Sequence, residues 1–117
     1  MYTKHEIGKI GEKIAVEYLR KCGYKIIETN FFARHGEIDI IAKDKKYYVF
    51  VEVKTRTNLS FGNPVEAVDK YKQNHIYKSA KYYLYINKLE EKFVRFDVIE
   101  VFISKNNYKI NHIKQVL

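Results

Sequence analysis

Apolar residues recur at helical spacing near the start of the chain. Ile7, Ile10, Ile14, Ala15, Tyr18, Leu19 and Cys22 define one stripe and predict an amphipathic helix over residues 4–22. Thr3 and Glu6 have the spacing of a capping box, and Gly23 suits the C-terminal cap. Cys22, on the stripe, reads as a small core residue. The pattern then shortens to runs of β-branched and aromatic residues. Tyr24–Glu28 predicts a strand, which Thr29–Phe32 continues after a kink, and Ala33–Gly36 a turn. Gly36–Arg56 predicts two strands joined by the polar turn Lys43-Asp44-Lys45-Lys46. A polar loop follows from Thr55 to Asn63. Asn63, Pro64 and Glu66 then mark the start of a second helix running to about Asn87, with Val65, Val68, Ile76, Ala80 and Tyr83 as its apolar face. Phe93–Ile103 is a strand apolar on both faces. Asn106-Asn107 makes a turn, and Tyr108–Val116 an edge strand in which Lys109, Asn111 and Lys114 discourage further pairing. The order helix, three strands, helix, two strands predicts an α/β fold: a mixed sheet with two helices packed on it.

Four charges interrupt the apolar strands between Gly36 and Arg56: Glu37, Asp39, Glu52 and Lys54. A central strand avoids charge unless it is paired or used, because an unpaired buried ion costs several kcal/mol. Alternation puts Glu37 and Asp39 on one face of the first strand, and Glu52 and Lys54 on one face of the second. With an even-length turn, Asp39 and Glu52 fall on the same side of the hairpin; an odd loop or a bulge would separate them. Glu12 lies at the border of the first helix's buried face, by the ~100° per residue of a helix. Gly8 and Gly11 beside it cost helix propensity, and the return is close approach to a sheet or a ligand.

Charge adds a partner class. The chain has 117 residues, 46% of them apolar, with 22 Lys and Arg against 14 Asp and Glu, a net charge of +8. The length suits one domain. The balance favours a polyanion, nucleic acid first and an acidic membrane second, although a lysine-rich chain is also simply soluble. Cys22 is the only cysteine, which excludes an internal disulfide. No apolar run has the length of a signal peptide or of a membrane span, so the expectation is a cytoplasmic protein with no membrane partner. On the second helix Lys70, Lys78, Lys81 and Lys88 share a side, as a solvated or phosphate-facing stripe would. Lys72 falls within the apolar face. Either it snorkels to the rim or its cation points at the cavity that holds the carboxylates.

Asp39 and Glu52 are ligands of the kind that Mg²⁺ or Mn²⁺ prefers, and the Val53 carbonyl adds a third. Lys54 is placed to orient or deprotonate a water and to offset charge on a phosphate. Glu12 completes the site from the first helix, and Lys72 or Gln73 reaches it from the second. Attack of a metal-activated water on a phosphodiester is the natural reaction class. The plainer alternative is a Glu52–Lys54 ion pair on a solvated strand, worth roughly 0–1 kcal/mol. Arg56, Lys70, Lys72, Gln73, Lys78 and Lys81 are the candidate contacts to nucleic acid.

The run GEIDIIA…VFVEVKTR resembles the YraN family of small bacterial proteins. So do Gly8-x-x-Gly11-Glu12, Gly23-Tyr24, Asn30, Gly62-x-Pro64, Glu66-Ala67-Val68, Lys72-Gln73 and Arg95-Phe96-Asp97, in order along nearly the whole chain. The resemblance implies the restriction-endonuclease-like PD-(D/E)xK fold, an α/β/α core around a central mixed sheet, close to archaeal-type Holliday junction resolvases. It carries over Asp39, Glu52 and Lys54 as the nuclease motif and Glu12 as the additional acid. Ile38 stands where the motif has Pro. The expected activity is metal-dependent cutting of DNA, branched or structured DNA included. The alternative is a catalytically silent nucleic-acid-binding module of the same fold. A third reading, an assembly partner for another protein, rests on the 11 tyrosines alone. Resolvases act as symmetric dimers, and the edge at residues 108–116 leaves room for a homodimer.

Overall fold

Three two-residue turns and one long crossover arrange the sheet. In the computed structural model, which describes residues 2–57, 70–89 and 92–116 (of 70–72 the main chain), the order is α1 (Lys4–Lys21), β1 (Lys25–Ala33), β2 (Gly36–Asp44), β3 (Tyr47–Thr57), α2 (Lys70–Ile86), β4 (Phe93–Ser104) and β5 (Asn107–Ile113). The strands lie in the order β1-β2-β3-β4-β5. Turns at Arg34-His35, Lys45-Lys46 and Lys105-Asn106 make antiparallel neighbours, while β4 returns parallel to β3. The expected mixed sheet with two helices is what forms.

The two faces of the sheet carry separate cores. Ala15 and Leu19 of α1 pack with Ile40, Ala42, Val49, Val51, Ile99 and Val101. Ala80, Tyr83 and Leu84 of α2 pack with Phe31, Ile38, Ile41 and Phe50. Val49 and Val51 face α1 and Phe50 faces α2, as strand alternation requires. The helices therefore cover opposite faces. Among the described residues, no helix is long and apolar enough to cross a membrane.

Local chemistry sets the ends of α1. Thr3 Oγ1 accepts from the Glu6 N–H and Glu6 Oε1 from the Thr3 N–H, the reciprocal box its sequence predicts. At the other end Tyr24 N–H donates to Leu19 O and Gly23 N–H to Arg20 O, with Gly23 left-handed at φ 92°. This pattern folds Tyr24 back onto Leu19 in the core. Cys22 is thereby exposed at the cap, and the expectation that it is a core residue is corrected.

Several boundaries also move. β3 runs on to Thr57, where the sequence suggests a loop from Thr55, because its parallel ladder with β4 continues to the Thr57–Ile103 pair. The last turn lies at Lys105-Asn106, so Asn107 already belongs to β5. That strand stops at Ile113, short of Val116. Gln115 turns left-handed, its N–H donates to Asp97 Oδ1, and the Val116 N–H donates to Phe96 O. The helix start expected at 63–68 lies outside the described residues.

Candidate functional site: a carboxylate cluster where the sheet forks

The β2–β3 hairpin turns at Lys45-Lys46 alone, because Lys43 and Asp44, expected in the turn, pair with Tyr48 and Tyr47; the turn is even, and the register runs from Asp44–Tyr47 to Ile40–Val51. There the ladder ends, one pair short of Asp39–Glu52. Below that point β2 continues on β1 as far as Ala33–Gly36, and β3 continues on β4 as far as Thr57–Ile103. The sheet forks. Asp39 sits at the fork and its Oδ2 accepts from the Val53 N–H at 2.8 Å. A side chain thus takes a main-chain donor released where the ladder stops.

Alternation breaks at the same level. Ile38 and Ile40 are two apart, so a regular strand would put them on one face; instead Ile40 packs in the α1 core and Ile38 in the α2 core. The break falls at Asp39, which lies between the pairs Thr29–Ile40 and Phe31–Ile38. On β1 the residue at this level is Asn30, left-handed at φ 52°. The result is a convergence of three carboxylates. One oxygen from each of Glu12, Glu37 and Asp39 lies within 4.8 Å of the others.

Glu12 reaches the fork because α1 comes close to β3. A Cβ at Gly11 would run into the side chain of Thr55, so only glycine allows this approach. At Gly8 a Cβ would meet nothing within 4 Å; this glycine opens on a cleft of about 440 Å³, lined also by Lys4, Glu12, Lys54, Thr55 and Arg56. Asn30 Nδ2 donates to Glu12 Oε1 at 3.1 Å, and Lys9 Nζ lies 3.5 Å from the same oxygen.

Electrostatics mark Asp39 as the centre. Burial pushes its carboxyl up to about 8, with the Glu52 charge next in importance and Glu12 and Glu37 adding to it; the Val53 N–H works the other way. Lys54 Nζ stands 3.4 Å from Glu52 Oε1, both side chains mostly buried, so the two form the expected same-face pair. Among the described residues, Glu12, Glu37 and Asp39 bring their oxygens close enough together to hold a hard divalent cation. The all-oxygen, carboxylate-rich donor set fits Mg²⁺ or Mn²⁺.

The match to known proteins spans these elements. The model of "Uncharacterised protein family UPF0102" matches residues 11–101, from Gly11 to Val101. The chain belongs to the UPF0102 family. A UPF0102 protein of Clostridium botulinum (strain Hall) is 50% identical over 116 residues, covering 97% of this chain and 94% of the relative. One from Caldicellulosiruptor bescii is 54% identical over 112 residues, 93% of this chain and 94% of the relative. A third, from Caldanaerobacter subterraneus subsp. tengcongensis, is 50% identical over 114 residues, 95% and 93%. The UPF0102 match contains Glu12, Asn30, Glu37, Asp39, Glu52 and Lys54.

The fork thus gathers Glu12 and Asp39 with the Glu52–Lys54 pair beside them. It also draws in Glu37 and Asn30, which the sequence reading leaves without a role. The signal for Glu37 was present, since it stands two residues before Asp39. The residues expected to touch nucleic acid are dispersed. Arg56 lines the cleft, half-buried, its Nε 3.9 Å from Glu100 Oε2. Gln73 is half-buried on α2, while Lys78 and Lys81 are exposed there, Lys81 over the ring of Tyr77. Lys70 and Lys72 lie on the main chain of α2, their side chains outside the described residues.

Proposed function

We propose that this UPF0102 protein is a metal-dependent endonuclease acting on DNA, with branched or structured DNA as its substrate class. The observation that supports this most is the crowding of Glu12, Glu37 and Asp39 around a carboxyl pushed up to about 8. Carboxylates this close repel one another, and a divalent cation relieves the repulsion. The resemblance to the YraN proteins and their PD-(D/E)xK motif supports the same reading.

Asp39 and Glu52, with the Val53 carbonyl, are the residues that would hold the ion, and Glu12 and Glu37 complete the acidic wall. A bound Mg²⁺ or Mn²⁺ would supply Lewis acidity, offsetting phosphodiester charge and easing loss of a proton from the attacking water. The chain does the rest. The Val53 N–H fixes the rotamer of Asp39. Glu52 holds the Lys54 ammonium at the rim of the fork. From there Lys54 orients the attacking water and places a positive charge beside the phosphate. Arg56 continues the basic wall of the cleft.

The test is cleavage of linear, flapped and four-way-junction DNA in EDTA, Mg²⁺ or Mn²⁺, beside Glu52→Ala. Metal-dependent cutting that the variant loses is the expected result. A second reading, a binding module without chemistry, draws on the net charge of +8 and on the exposed Tyr77, Lys78, Lys81, Tyr82 and Tyr85 of α2. It expects both proteins to retard DNA equally with no cutting, and a steep salt dependence.

A further inference from the structure

Four described non-glycine residues have a positive φ: Asn30, Lys45, Lys88 and Gln115. Lys45 turns the β2–β3 hairpin, Lys88 follows the end of α2, and Gln115 lies beyond β5. Asn30 is the one within a strand, where a left-handed residue is unfavourable and interrupts the ladder. It stands level with Asp39, where alternation reverses. Beyond that point Ile38 turns to the α2 core and Glu37 comes within ligand distance of Glu12. The side chain of Asn30 completes the arrangement through its bond to Glu12 Oε1. Asn30 therefore bonds one member of the cluster through its amide and stands level with a second on the neighbouring strand.

We propose that Asn30 is the positioning residue of the carboxylate cluster. Its left-handed backbone turns β1 and β2 so that Glu37 and Asp39 face α1, and its amide holds the Glu12 carboxylate where it meets them. Asparagine suits both tasks: it tolerates the left-handed region better than most residues with a Cβ, and it supplies a donor to a carboxylate. The proposal rests on the reading of the cluster as a cation site.

Asn30→Gly separates the two tasks, because glycine keeps the backbone and deletes the amide. Calorimetric titration of the purified full chain with Mn²⁺ should show affinity weakened roughly tenfold, the scale of lost outer-sphere partners at metal sites. The melting temperature without metal should stay at or above that of the wild type. In a Glu12→Gln background the same change should have no further effect on Mn²⁺ affinity, because Asn30 acts through Glu12. Unaltered Mn²⁺ affinity in Asn30→Gly would overturn the proposal, as would an equal loss in the Glu12→Gln background. A variant that melts well below wild type would also overturn it, in favour of a purely structural kink. A wild-type protein that takes up no Mn²⁺ would remove the cation reading itself. A wild type that binds, with a variant that binds alike, removes only the role of Asn30.

Discussion

Asp39 Oδ2 accepts the Val53 N–H at 2.8 Å across the point where β2 and β3 part. This bond lets a buried carboxyl occupy the fork, and it also fixes the carboxyl close to Glu52, Glu12 and Glu37. The fold is thereby strained electrostatically until something relieves the charge, and a proton or a cation does so.

Stability should therefore fall with rising pH in the absence of metal. The folded-state pKa of Asp39 is raised from 3.8 to about 8. Between those values the folded state holds a proton that the unfolded chain has released, so stability drops as pH climbs through that window. Asp39→Asn keeps an acceptor for the Val53 N–H and removes the charge. Its melting temperature should exceed that of the wild type at about pH 8, and the gap should close toward the ordinary carboxylate range. Mn²⁺ should raise the melting temperature of the wild type and leave Asp39→Asn unmoved. Equal melting curves at high pH would refute the account.

The two glycines of α1 should respond in opposite directions. Gly8 is in a helix with nothing near its missing Cβ, so Gly8→Ala should stabilise by about 1 kcal/mol through helix propensity. Gly11→Ala collides with Thr55 and should destabilise by roughly 1–3 kcal/mol as an overpacked contact. Urea unfolding of both variants measures the difference. A stabilised Gly11→Ala would mean that α1 can lift off β3.

The order of elements was legible because period and punctuation agree: a capping box, helical stripes and β-branched runs between polar turns. The hairpin was legible but its register was not: the sequence puts Asp39 and Glu52 on one side only on the condition of an even turn, which Lys45-Lys46 meets. The fork was not, since nothing local says that the ladder ends at Ile40–Val51. Glu37 was missed as a member of the cluster for a related reason. Alternation places it beside Asp39 on one strand face, but its meeting with Glu12 depends on the break opposite Asn30. Cys22 continues a helical stripe past the residue where the helix stops being covered. Arg95 and Asp97 were visible as charges in an apolar strand. Their partners Tyr24, Asp44 and His112 come from distant elements, which no spacing rule connects.

Lys54 and Glu52 should fail differently. If the protein is the nuclease proposed, Lys54→Met removes the ammonium beside Glu52 and leaves the carboxylates, so cutting should drop roughly 10²–10³-fold, the scale of one lost electrostatic stabiliser, with Mn²⁺ affinity kept. Glu52→Gln should weaken both. Single-turnover cleavage beside Mn²⁺ calorimetry separates the cases. A Lys54→Met enzyme cutting at the wild-type rate would exclude a role for that ammonium in the reaction.

The largest stability loss is expected away from the fork, in a network that shares no residue with it. Arg95 grips Asp97 with Nε and one terminal nitrogen, each at 2.9 Å, and reaches Asp44 Oδ2 at 3.0 Å and the Tyr24 hydroxyl. His112 Nε2 meets Asp97 Oδ2 at 2.7 Å and its Nδ1 meets the Tyr18 hydroxyl at 3.0 Å, tying β5 to α1. Burial alone would raise the Asp97 carboxyl, but hydrogen bonds from His112, Arg95 and the Gln115 N–H hold it below its ordinary value. Its stabilisation is therefore present above the unfolded pKa and is lost as pH falls through the lower folded one. Asp97→Asn leaves the Arg95 guanidinium buried with Asp44 as its remaining carboxylate, and breaking such a pair costs about 3–5 kcal/mol. The melting temperature should fall by roughly 10–20 °C near neutrality, and by less in acid, where the wild type has lost the same charge. A drop of equal size at every pH would show that packing, not the ion network, sets the cost.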